Sequence, residues 1–179
     1  MPAVNLFGKG TLVKASSGLS REAYALVDGS PETSWTSAGS PSSEADPSSA
    51  RHSLTFTLRS DVDTDDNEGL SDAEEDETAA VQLQKLESLV LTFQGGYSAL
   101  GVLLLAKAQA PVGVGEEERS SWHQLAEFWP EDSNARQEFL IPPSKHNSSA
   151  RILRLLLNGS ADGFGRITLY GVELYGSRT

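Results

Sequence analysis

The stretch RHSLTFTLR, residues 51–59, decides how this chain is built. Leu54, Phe56 and Leu58 alternate with Ser53, Thr55 and Thr57. That is the period-two pattern of a strand with one face in a core and one in water. Segments that cannot build a core lie on both sides of it. Residues 38–50 are rich in Ser, Pro, Ala and Gly, and residues 60–80 are acidic with almost no large apolar side chain. Such segments bury too little apolar surface to offset their ordering entropy, so both are expected as mobile loops. A core strand sits between them. They are therefore excursions from one domain, and 179 residues suit a single domain.

Working outward, further strands are expected at residues 10–15, 86–93 (LESLVLTF), 101–107 (GVLLLAK), 122–129, 137–141, 151–157 (RILRLLL) and 166–175 (RITLYGVELY). Pro142-Pro143 ends one of them, since proline cannot continue a ladder. Asn158-Gly159 reads as a turn that ends another. In the last strand Ile167 and Leu169 share one parity and Val172 and Leu174 the other, which predicts a bulge near Gly171. Helix signals are weak; Ser20 is expected to cap a single turn over residues 21–26. Many short strands and little helix predict an all-β sandwich or barrel.

The net charge of −11 is concentrated in one place. Residues 61–77 carry ten acidic and no basic side chains; the rest holds 15 acidic against 14 basic. No basic surplus supports general nucleic-acid binding. The acidic run fails as a calcium loop, because Asp66 stands where a glycine is needed and Asp72 where a bidentate glutamate is needed. Ser71, followed by Asp72, Ala73, Glu74, Glu75 and Asp76, is a candidate for an acid-directed kinase. The longest apolar run, residues 102–106, is too short to span a bilayer, so no membrane insertion is expected. The N-terminal MPAVNLFGKGTLVKASS has no basic region followed by an apolar one, which predicts an intracellular, cytoplasmic or nuclear protein. The absence of cysteine excludes disulfides and thiolate metal sites.

Catalytic constellations have few members. There are three histidines, His52, His123 and His146, and neither a Gly-x-Ser-x-Gly nor a His-Glu-x-x-His motif. No enzyme is expected. The adjacent carboxylates Glu131 and Asp132 follow Pro130 and read as a turn, with Asp132 bonding nearby amides. The aromatic set Trp35, Tyr97, Trp122, Trp129, Phe164 and Tyr170 reads in two ways. It can line a binding surface, with Arg166 and His123 as polar partners, or it can belong mainly to the core, with Trp35 plugging one end.

The runs ALVDGSPETSWTS (residues 25–37) and DGFGRITLYGVELYG (162–176) together resemble the galactose-binding-like, or discoidin, jelly roll. With LTFQGGYSA (91–99) and EFWPEDSNARQEFLIPP (127–143), the chain is similar to a small eukaryotic family of one-domain discoidin-like proteins. That family's namesake is associated with an orphan nuclear receptor. The resemblance implies a jelly-roll β-sandwich of about eight strands, with residues 38–50 and 60–80 as insertions. It also implies a structural calcium ion between the first loop and the last strand, held by Asp28, Thr33 and Glu173 with backbone carbonyls. The other reading of those residues is a turn at Asp28, a local bond from Thr33 and a solvated Glu173.

The function expected is a non-catalytic binding module using loops at one end of the sandwich, near Trp35, Tyr97, Glu131, Asp132 and Arg166. The first partner class is another protein and the second is a glycan. A structural subunit of a larger assembly is a third reading.

Overall fold

The computed structural model describes residues 3–8, 10–39, 51–58, 83–107, 121–143 and 151–178. Most of both expected loops, residues 40–50 and 60–80, lies outside these, as do Ser71 and His146. The described elements are β1 (Val4–Asn5), β2 (Leu12–Ala15), α1 (Ser20–Ala25), β3 (Trp35–Thr36), β4 (Arg51–Thr57), β5 (Leu83–Phe93), β6 (Ala99–Lys107), β7 (Trp122–Phe128), β8 (Arg136–Leu140), β9 (Ile152–Ser160) and β10 (Thr168–Arg178). Eight of the ten strands have four residues or more, and β1 and β3 have two each.

They form two antiparallel five-stranded sheets. One runs β1-β10-β5-β8, with β3 also on β10; the other runs β2-β4-β9-β6-β7. The alternation that opened the sequence reading packs as expected: Leu54, Phe56 and Leu58 are buried. They meet the inner residues of the facing sheet, among them Leu89, Leu91, Phe93, Leu169, Val172 and Leu174, in one hydrophobic core. Phe7 stacks on Phe56 with ring centroids 4.5 Å apart. This is the two-sheet β-sandwich that was expected, with non-directional apolar burial as its main driving force.

The bulge at Gly171 is present as a register shift between Leu169 and Gly171 against β5. Two expectations are corrected. β9 does not stop at Asn158-Gly159 but runs to Ser160, because Asn158 pairs with both Arg51 and Gly101. Gly159 takes φ 66° inside the strand, and a Cβ there would lie 2.9 Å from Leu100. Neighbouring strands supply ladder partners that override the turn signal. The helix cap is Leu19, which makes no side-chain capping bond, so Ser20 is the first helical residue and not the cap.

Register places the ends of the sandwich. Ala99 pairs with Ser160, Leu169 with Phe93 and Arg51 with Asn158. Residues 94–98, 129–135 and 161–167 therefore gather at one end, together with residues 37–39.

Candidate functional site

At that end the loops are tied to one another by polar side chains. Gly95-Gly96 makes a tight turn, with Gly96 at φ 84°. Asp132 Oδ1 accepts from the Gly96 amide at 2.8 Å and from the Ser98 hydroxyl at 2.8 Å. Asn134 Oδ1 accepts from the Gly95 amide at 2.8 Å. Glu131 and Gln137 exchange two bonds: the Glu131 amide donates to Gln137 Oε1 at 2.8 Å, and Gln137 Nε2 donates to the Glu131 carbonyl at 2.9 Å. Residues 129–135 are thus a loop, as expected. The bonds of Asp132 go to a loop more than thirty residues away and not to neighbouring amides.

Arg166 is held by Asp162. Nε donates to Asp162 Oδ2 at 2.9 Å, and the Arg166 amide donates to the same oxygen at 3.1 Å. The guanidinium beside it keeps the Asp162 carboxyl below the usual carboxylate range, against the opposing effect of burial. The Arg166 guanidinium carbon lies 5.3 Å from the Tyr97 ring centroid and 5.4 Å from that of Phe164, within cation–π range. Tyr97 is half-buried, whereas Phe164 is 66% exposed.

Trp35 is placed otherwise than a binding residue must be. It is fully buried, and its Nε1 donates to the Ser17 carbonyl at 3.1 Å. Its place on the partner surface is corrected: β3 pairs Trp35 with Leu169, which turns the indole into the core. The large apolar side chains exposed at this end, among the described residues, are Trp129 (70% exposed), Phe164 and Leu100 (47%).

Two features were missed in the sequence. The first is the Asp162–Arg166 pair, for which the spacing in DGFGR was the available signal; Gly165, at φ 75°, lets that loop fold back on itself. The second is His52. Its Nε2 faces the Gly165 carbonyl at 3.3 Å and its Nδ1 faces Ser17 Oγ at 2.9 Å. A carbonyl only accepts, so Nε2 carries the proton and Nδ1 accepts from Ser17. No sequence signal joins residues this far apart.

Asp28, Thr33 and Glu173 lie away from this end. Thr33 Oγ1 donates to the Asp28 carboxylate at 3.1 Å, and Asp28 Oδ1 also accepts from the Ser30 amide at 2.7 Å. Asp28 and Glu173 line the same cleft. The Asp28 loop offers oxygen donors suited to a hard cation. Glu173 does not complete the set. Its Oε1 accepts from Arg136 Nε at 3.0 Å, and its Oε2 accepts from Arg136 Nη2 at 3.3 Å and Tyr175 Oη at 2.7 Å. Among the described residues no three acidic or histidine side chains gather as metal ligands. As arranged, Asp28 and Thr33 bond within their own loop and Glu173 bonds Arg136 and Tyr175.

No protein-family model matches the chain. Over 97 residues it is 28% identical to the human Nuclear receptor 2C2-associated protein, a stretch covering 54% of this chain and 60% of that protein. Over 86 residues it is 34% identical to the Xenopus laevis protein of the same name, covering 48% and 54%. The chain thus spans less than two thirds of the length of these relatives.

Among solved structures it is similar to the family 32 CBM of C. perfringens NanJ, solved in complex with galactose. The TM-score is 0.61 at 11% identity, covering 97% of this chain and 98% of that one. Chitosan-binding module 1 of a Paenibacillus chitosanase/glucanase gives 0.61 at 14%, covering 97% and 99%. Allantoicase of Saccharomyces cerevisiae gives 0.62 at 9%, covering 99% of this chain and 45% of the enzyme. At these identities the likeness is one of fold. It agrees with the resemblance read from the sequence.

Proposed function

We propose that the protein is a non-catalytic, intracellular interaction module that docks another protein on the loop end formed by residues 94–98, 129–135 and 161–167. One observation carries this reading. Polar side chains of that end are engaged as ties between loops, and two large aromatic side chains there stand exposed without a core contact to fill. Asp132, Asn134 and Gln137 bond to backbone amides and carbonyls, while Trp129 and Phe164 are largely exposed. A sugar site needs several polar groups converging on hydroxyls. Exposed aromatics with an arginine among them are the composition of a protein-binding hot spot. The receptor-associated name of the relatives supports a protein partner inside the cell.

The carbohydrate-binding neighbours favour a second reading, in which Phe164 and Tyr97 stack a sugar beside Arg166. The experiment separates the two. Tagged protein is used to capture partners from native cells, in parallel with a Trp129→Ala, Phe164→Ala variant, with and without free galactose. A defined partner, retained in sugar and lost in the variant, is expected. Release of many glycoproteins by the sugar would overturn the protein reading in favour of a lectin.

A further inference from the structure

Two adjacent strands of the β2-β4-β9-β6-β7 sheet are apolar on both faces. On β9, Leu153, Leu155 and Leu157 are buried in the core, and on β6 so are Val102, Leu104 and Ala106. The residues between them point the other way. Ile152, Leu156, Leu103 and Leu105 are half-buried on the outer face and stand outside the core cluster. Leu156 pairs directly with Leu103, and Leu105 with Arg154. An antiparallel sheet with one face in water carries polar residues there; β9 and β6 place four aliphatic side chains there instead. Among the described elements the helix α1 packs against β2 and β3, so no described helix roofs β6 and β9.

The frame of this apolar centre is basic. Strand register puts Lys14, Arg51, Arg154 and Lys107 on the same outer face, against one carboxylate, Glu127. The face is thus positive on a chain whose net charge is −11. Among the described residues none of the four basic side chains lies in an ion pair. Arg154 Nε donates to Thr55 Oγ1 at 3.1 Å, and its guanidinium carbon lies 4.0 Å from the Trp122 ring centroid. Trp122 is on β7 and Arg154 on β9, with β6 between them, so this contact passes over the apolar centre. A guanidinium has five N–H donors, and the bond to Thr55 uses one.

We propose that this outer face docks an acidic segment of another protein, one that carries aliphatic side chains between its carboxylates. Charge complementarity selects the occupant: the four basic side chains take the carboxylates, and the leucine-rich centre takes the aliphatic groups. From β4 to β7 the face spans three strand steps, roughly 14 Å, which is room for one peptide segment. Nucleic acid would leave the aliphatic centre unmatched. The surface is separate from the loop end, and the two readings fail independently.

The full chain is titrated with acetyl-Glu-Leu-Asp-Glu-Leu-Leu-Asp-Glu-amide, following backbone amide NMR shifts. Controls are the same peptide with Ser for each Leu, the same with Lys for each acidic residue, a single-stranded oligothymidylate, and vesicles of equal phosphatidylserine and phosphatidylcholine. Saturable shifts at residues 103–107 and 152–156 are expected with the first peptide, at least about tenfold weaker binding with the serine peptide, and no response to the lysine peptide. Lys14→Glu with Lys107→Glu, and separately Leu103→Thr with Leu105→Thr, which keeps strand propensity, are each expected to weaken binding by at least about tenfold. Lys85→Glu, an exposed reversal on the other sheet, is expected to leave it unchanged. The proposal is overturned by equal binding of the serine peptide, the oligonucleotide or the vesicles, by shifts confined to residues 94–98, 129–135 and 161–167, or by binding that survives the two lysine reversals. Shifts in residues 61–77 on those reversals, with no peptide binding in the parent, would assign the face to this chain's own acidic run and overturn it as well.

Discussion

Arg136 on β8 reaches across β5 to hold both carboxylate oxygens of Glu173 on β10, at 3.0 Å and 3.3 Å. The bridge crosses the outer face of its sheet beside Val90, which pairs with Glu173 on one side and Glu138 on the other and is 1% exposed. Bonds from Arg136, then from Tyr175, hold the Glu173 carboxyl below the usual carboxylate range, with burial opposing them. A residue assigned to metal binding by resemblance is in this structure a strap between strands.

The strap has a pH signature. A carboxylate with a depressed folded-state pKa adds stability above its unfolded value, about 4.3 for glutamate, and loses it as pH falls through the folded value. Glu173→Gln is expected to cost about 0.2–1 kcal/mol near neutral pH, since the pair is largely solvent-screened. The difference from the parent should vanish under acid. Urea unfolding of both proteins between neutral pH and the acid limit checks it; a difference that persists in acid would assign the loss to packing.

Calcium separates the two readings of Asp28. With Glu173 bonded to Arg136 and Tyr175, millimolar calcium is expected to leave the melting temperature unchanged. A calcium-dependent rise in Tm that disappears in Asp28→Ala would restore the cation site.

Asp132 ties two loops. Asp132→Ala should cost about 1–3 kcal/mol, because it strips the acceptor from the Gly96 amide and from the buried Ser98 hydroxyl. Hydrogen exchange should quicken at residues 95–98 before it does in the strands. Unchanged exchange there would show that the tie is dispensable.

Trp35→Ala is expected to destabilise the fold by about 3–5 kcal/mol, as emptying a large core site does, whereas Phe164→Ala should leave the melting temperature almost unchanged. Calorimetry of the two variants tests the placement of both rings. A stable Trp35→Ala protein would return that residue to the surface.

His52 gives a second pH window. Burial pushes its imidazole below the usual range, with the Gly165 bond opposing. The unfolded chain then binds the proton more readily than the folded one, so stability is full above about pH 6.5 and falls as pH drops through the folded value. His52→Gln is expected to flatten that slope. An unchanged slope would locate it in other groups.

Much of the architecture was legible because strand burial writes itself locally. The alternation of Leu54, Phe56 and Leu58, and the parity switch at Gly171, each need only adjacent residues to be read. The run at Asn158-Gly159 misled because its ladder partners, Arg51 and Gly101, are remote in sequence. The site was less legible for the same reason. Tyr97 and Arg166 were named from the sequence and do stand together. Trp35 was named with them and proved to be core.

By itself the sequence determined that this chain is an all-β sandwich with one acidic excursion, because side-chain periodicity and composition are local quantities. Only the tertiary structure decided that Glu173 faces Arg136, that Asp132 and Asn134 bond the 95–98 loop, and that Trp129 and Phe164 are left outside. Those pairings depend on which strand ends the register brings together, and hydrogen bonds and ion pairs act only over a few ångströms.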